Sequence, residues 1–168
     1  MKIGDLVPDF SLPDLEGRIW RLSELHGRMV IINFWSAECP WTARADGPLV
    51  ELAEQYNGSL LTIAANASES DELLSASAQE RGVAPVLLDR AWLAADLLDA
   101  QTTPHVFLVD PNGILRYQGA LDDVTFRQRT ATRSYLGEAL AALKEGRNPD
   151  PAETPAYGCT IVRFNEGG

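Results

Sequence analysis

Residues 29–35, Met-Val-Ile-Ile-Asn-Phe-Trp, form an apolar run broken only by Asn33. A strand that is apolar on both sides has to be covered on both sides, as a central strand of a parallel sheet is. Comparable runs recur at 60–66 (LLTIAAN), 84–89 (APVLLD) and 105–110 (HVFLVD). Segments with helical spacing lie between them. Residues 40–56 put Leu49, Leu52, Ala53 and Tyr56 on one face, and Gly47-Pro48 is expected to kink that helix. Residues 68–82 open on serine and acids and close on Arg81-Gly82, the start and stop signals of a helix. Residues 90–100 and 130–147 read as two further helices, the last amphipathic. Pro111-Asn112-Gly113 turns the 105–110 strand back through 114–119, and residues 10–22 alternate around Leu15-Glu16-Gly17 as a smaller hairpin. The order is hairpin, β, α, β, α, β, α, β, β, α. It implies an α/β fold with a mixed, mostly parallel central sheet flanked by helices, extended by an N-terminal β-hairpin.

One domain is expected over residues 1–147, with residues 148–168 as a tail packed on it through Tyr157, Ile161, Val162 and Phe164. The 168 residues carry a formal net charge of -10, from 24 acidic and 14 basic residues. That balance disfavours nucleic acid and anionic membrane surfaces as partners. No stretch approaches the roughly 20 apolar residues of a membrane span. The opening, MKIGDLVPDF, has no apolar run that could serve as a secretory leader, so a cytoplasmic location is expected. Two cysteines and two histidines, all far apart, give no metal-ligand spacing; neither a metal nor a cofactor is expected. Arg127, Arg129 and Arg133 read as the solvated start of the last helix.

The chemistry concentrates at Trp35-Ser36-Ala37-Glu38-Cys39-Pro40-Trp41-Thr42. A strand ends at Trp35 and a helix starts with Pro40, a residue favoured at the first helical position. Cys39 then falls at the N-cap, where free backbone N–H groups and the positive end of the helix favour a thiolate. Thr42, one turn on, and Ser36, three residues before, each offer a hydroxyl to the sulfur. The plainer reading of a lone cysteine is a small buried apolar group. Trp35 packs beside the site, and Trp41 is available as a docking surface. His105 reads as a hydrogen-bonded structural histidine and His26 as a loop residue.

Taken together, GDLVPDFSLPDLEGRIWRLSELHGRMVIINFWSAECP, TTPHVFLVD and PNGILRYQGALDD resemble the redoxin branch of the thioredoxin superfamily, which includes alkyl hydroperoxide reductase and thiol-specific antioxidant proteins. The resemblance spans about Gly4 to Asp123. It implies a thioredoxin-like fold and a thiol-dependent oxidoreductase with Cys39 as nucleophile. It also implies a cis-proline at Pro104 which, with Thr103, Trp35, Pro40 and Trp41, shapes the substrate groove. Implied partners are disulfide, peroxide or thiol substrates and a thioredoxin- or glutathione-type electron donor. The chain departs from the Cys-x-x-Cys pattern, because Thr42 stands in the place of the second cysteine. It departs from the peroxidase pattern too: Ser36 matches the hydroxyl position, but Ile32 stands where that pattern has proline. Some redoxins use a resolving cysteine distant in sequence, which would give Cys159 that role; a free or buried thiol without a role is the other reading. Three functions remain open: thiol-disulfide oxidoreductase, thiol peroxidase, and a redox-inactive thioredoxin-like binding module.

Overall fold

The computed structural model describes residues 1–164. A five-stranded sheet forms its centre. Its strands are β3 (Val30–Trp35), β4 (Ser59–Ala64), β5 (Val86–Leu88), β7 (Val106–Val109) and β8 (Leu115–Gly119), in the order β5-β4-β3-β7-β8. β3, β4 and β5 run parallel; β7 is antiparallel to β3 and β8 to β7. The hairpin β1 (Ser11–Pro13) and β2 (Ile19–Arg21) stands ahead of the sheet. A third, two-stranded sheet pairs β6 (Thr102–Thr103) with β9 (Cys159–Thr160) of the tail. This is the thioredoxin-like α/β fold.

All six residues of β3 are buried, which is why the run at 29–35 is apolar on both sides. Ile31 faces one layer, built from α1 (Pro40–Gln55) and α4 (Tyr135–Lys144) through Ala45, Leu49, Leu136 and Leu140. Val30, Ile32 and Phe34 face the other, with Phe107 and α3 (Leu93–Leu98). Beneath α2 (Asp71–Arg81), Leu74 and Ala78 pack against Trp35, Ala64 and Val86. α2 starts where the Ser70 hydroxyl accepts the Leu73 N–H and stops at Gly82 in the left-handed region, φ 68°.

Two helical expectations are corrected, and α1 runs as one helix through Gly47-Pro48. Both residues lie on its exposed side, so the Arg44 carbonyl that loses a partner faces water while Ala45, Leu49 and Ala53 hold the buried side. The segment 90–100 is helical only over Leu93–Leu98; Arg90 to Trp92 form a turn, with Trp92 itself left-handed at φ 56°. The last helix begins at Tyr135, capped by the Ser134 hydroxyl, and residues 125–133 ahead of it are bends rather than helix. There the Asp123 carboxylate accepts the backbone N–H groups of Thr132 and Arg133, so the segment folds around an acid instead of continuing the helix.

Phe107 is fully buried and meets Phe34 edge-on, with ring centroids 5.8 Å apart. Phe107→Ala is expected to lower the unfolding free energy by about 3–5 kcal/mol, read from urea midpoints.

Candidate functional site

Cys39 is the N-cap residue of α1, with extended backbone (φ -85°, ψ 119°) and Pro40 at the helix start. Its thiol is buried, only 4% exposed, and donates to the Thr103 carbonyl at 3.2 Å. β3 delivers Cys39 to this point: the Phe34 N–H bonds the His105 carbonyl at 3.1 Å, tying the end of β3 to the segment that carries Thr103 and Pro104. The Thr103–Pro104 peptide is cis.

The second thiol arrives from the far end of the chain. β9 pairs antiparallel with β6, placing Cys159 opposite Thr103 and Thr160 opposite Thr102. Both cysteines are free; Cys39 is buried and Cys159 exposed. Burial pushes the Cys39 pKa up, but donors outweigh it. They are the Cys159 thiol and the Thr42 and Cys159 N–H groups, and the net pKa lies below that of an ordinary thiol. Cys159 moves the other way. Partial burial and then the neighbouring Cys39 push it up to about 11. Of the two thiols, Cys39 is therefore the one that ionises first. Thr42 is fully buried and its Oγ1 makes no hydrogen bond in the structure, so it is a donor free to turn to the sulfur.

Ser36 does not act on Cys39 as expected. Its hydroxyl donates to Glu69 Oε2 at 2.5 Å, and its oxygen accepts the Glu38 N–H. Glu69, 3% exposed, also accepts the Ala37 N–H at 2.7 Å and the Asn66 amide at 3.1 Å. A nearby carboxylate takes the serine proton because it is the stronger acceptor. Ser36 is thus part of the scaffold that shapes the turn before Cys39. Trp35 is fully buried, donates to Asp46 Oδ1 and lies 4.4 Å beneath the Arg81 guanidinium. Arg81 bonds Asp46 and the carbonyls of Ser36 and Ala37, clamping the same turn from outside. Trp41 is half-buried rather than a free docking face, because Tyr157 of the tail packs on it edge-on at 5.0 Å. Pro40 remains exposed. Ile161 reaches the core at 6% exposure, but Val162 and Phe164 stay largely exposed.

Sequence reasoning did not place Glu69, Asn66 or Arg81 at the site, whereas Gly158 reads from the sequence as a tight turn before Cys159. Glu69 lay among the acids that mark a helix start, and its partners stand 32 and 33 positions away. His105 is not a base for the thiol. It accepts the Gln101 N–H on Nδ1, and burial pushes its pKa down to about 4. Among the described residues no metal-ligating cluster exists, and no helix is long and apolar enough to cross a membrane.

Two measurements follow from these shifts. The rate of Cys39 alkylation against pH should show a midpoint below the roughly 8.5 of a free thiol. In Cys159→Ala that midpoint should rise, because the thiol that helps lower the Cys39 pKa is removed; an unchanged midpoint would refute the role given to Cys159. His105 gives a stability effect. The unfolded chain protonates near 6.5 and the folded one only near 4, so stability falls as pH drops through that window. The loss is on the order of 3 kcal/mol, and urea unfolding of His105→Gln should lack that part of the pH dependence.

Residues 3–118 match the AhpC/TSA family. The thiol-disulfide oxidoreductase ResA of Geobacillus thermodenitrificans (strain NG80-2) is 33% identical over 113 residues, 66% of this chain and 65% of the relative, so the chain spans about two thirds of that relative's length. ResA of Bacillus subtilis (strain 168) is 31% identical over 148 residues, covering 85% of this chain and 76% of the relative. Among solved structures, a hypothetical protein, SMc02350 from Sinorhizobium meliloti 1021, superposes with a TM-score of 0.83 at 27% identity, over 99% of this chain and 97% of that one. The thioredoxin domain of thiol-disulfide oxidoreductase BVU-2223 from Bacteroides vulgatus shares the fold with a TM-score of 0.65 at 17% identity, over 88% of this chain and 99% of that one. The motifs around Cys39 and Pro104, the sheet order and the match over most of its length lead to one conclusion: the chain belongs to the AhpC/TSA family.

Proposed function

We propose that the protein is a thiol-disulfide oxidoreductase that cycles between a Cys39/Cys159 dithiol and the corresponding disulfide. One observation carries the reading. The strand that holds Cys159 is paired with Thr103, the residue whose carbonyl receives the Cys39 thiol. The relatives named above as thiol-disulfide oxidoreductases support the same chemistry.

The Cys39 thiolate attacks one sulfur of a substrate disulfide. A Cys39–substrate bond forms, the substrate S–S bond breaks, and the other sulfur leaves as a thiolate that takes a proton from water. Cys159 then loses its proton and attacks Cys39 Sγ, expelling the substrate thiolate and leaving a Cys39–Cys159 disulfide. A dithiol donor of thioredoxin type, or two molecules of a glutathione-type thiol, returns the pair to its reduced state. Ser36, Glu69 and Arg81 hold the turn that presents Cys39, and Thr42 donates to its charge. Disulfide suits the site better than peroxide. The groups that lower the Cys39 pKa are neutral donors rather than a cation that would meet a leaving hydroxide, and Ile32 is a fully buried core residue. The cytoplasm, where thiols are kept reduced, suits a cycle that starts from the dithiol, and cell fractionation reads that location.

Oxidation with stoichiometric glutathione disulfide, followed by non-reducing peptide mapping, tests the cycle. The wild-type protein should yield a Cys39–Cys159 peptide. Cys159→Ser should accumulate glutathionylated Cys39 instead, and Cys39→Ser should consume almost no oxidant. Wild-type protein that accumulates only glutathionylated Cys39 would remove Cys159 from the mechanism.

A further inference from the structure

The tail does more than deliver a thiol. It crosses the site as a strap fixed on both sides of Cys159. Before it, the Thr154 hydroxyl bonds Tyr117 Oη at 2.7 Å and accepts the Ala120 N–H at 3.0 Å, and Tyr157 packs on Trp41. After it, the Ile161 N–H bonds the Gln101 carbonyl and the side chain enters the core. Val162 then bonds the Ala67 N–H through its carbonyl and Asn66 Oδ1 through its N–H. Between these anchors Gly158 lies directly on the Thr103–Pro104 peptide. A Cβ at Gly158 would sit 2.1 Å from the Thr103 oxygen and 2.9 Å from the Pro104 nitrogen, so no other residue fits without lifting the chain.

β6 is the backbone edge beside Cys39, and β9 takes its pairing positions. An extended peptide that offers a disulfide to Cys39 would add to that same edge, because strand addition supplies main-chain hydrogen bonds. The strap already fills the edge and leaves the nucleophile 4% exposed.

Resting on the oxidoreductase reading, we infer that the Tyr157–Ile161 strap is the specificity determinant of the site: it excludes extended peptide and protein disulfides from Cys39 and selects small-molecule disulfides. Small disulfides reach the sulfur past the strap and need no strand pairing. A peptide must first displace β9, giving up the Trp41 contact and the ladder to Thr102 and Thr103.

Two probes that release the same chromophore test this. One is cysteine joined by a disulfide to thionitrobenzoate. The other carries the same mixed disulfide at the central cysteine of an uncharged extended peptide. Pre-steady-state rates of release measure attack by the reduced protein. The wild-type protein should attack the small probe at least about tenfold faster than the peptide. Gly158→Val lifts the strap and should raise the peptide-to-small ratio about tenfold, and Tyr157→Ala should move the ratio in the same direction without crowding Thr103. Circular dichroism checks that each variant is folded; if Gly158→Val is not, Tyr157→Ala decides. Equal rates for the two probes in the wild-type protein, or an unchanged ratio in the folded variants, would overturn the inference and leave the oxidoreductase reading intact. Release from neither probe by any of the proteins would overturn both.

Discussion

A sulfur taken out of water gives up the hydration that makes its anion affordable, and everything at this site depends on how Cys39 is compensated for that. Burial alone would push its pKa up; donors bring it below the ordinary value. Those donors come from two distant parts of the chain. Thr42 is supplied locally by the first turn of α1, which is fixed because β3 is buried on both faces and ends where the helix must start. Cys159 is supplied by the tail, which reaches the sulfur only because β6 offers it an edge. Remove either and the burial penalty stands with less to oppose it.

The local half of this arrangement is legible in the residues themselves, and the distant half only through the family resemblance that offers Cys159 as a resolving cysteine. Strand runs that are apolar on both sides, a Pro40 start and the Ser70 and Gly82 caps are signals within a few residues of what they control. Cys39 at an N-cap followed from them without a tertiary argument. Thr103-Pro104 was readable through its family pattern. The position of Cys159 rests on a two-residue ladder formed across more than fifty residues of chain, and a ladder that short leaves no periodicity to detect. Gly158 shows why. Its use is a close backbone approach to Thr103, which sequence registers only as a tight turn before a cysteine. Ser36 failed for a related reason. Its hydroxyl donates to the Glu69 carboxylate, an acceptor 33 positions away that only the folded chain brings to it.

Asn66 links the two halves. Its amide nitrogen donates to Glu69, which holds the Ser36 turn before Cys39, and its oxygen accepts the Val162 N–H, which holds the strap after Cys159. One buried side chain therefore positions both approaches to the sulfur. Arg90 braces the same loop by donating to the Asn66 and Glu69 carbonyls. The loop between β4 and α2 is therefore the site's frame although it holds no reactive group.

The opposed pKa shifts of the two thiols also set an order of events. While Cys39 is charged, its proximity adds to burial in keeping Cys159 protonated, with Cys159 pushed up to about 11. A protonated Cys159 donates to the thiolate and is itself inert, so the pair offers one nucleophile rather than two. Attack on a disulfide converts Cys39 into a neutral mixed disulfide. The repulsion that held the Cys159 proton disappears with that charge, and the acceptor that the proton was bonded to disappears with it. Loss of the proton from Cys159 becomes easier at the step where Cys159 must attack. Burial and the Glu69 carboxylate still oppose its ionisation, so resolution is eased rather than made free. The proton of Cys159 passes to solvent at that step, and the charge on the first thiol thereby governs when the second can ionise.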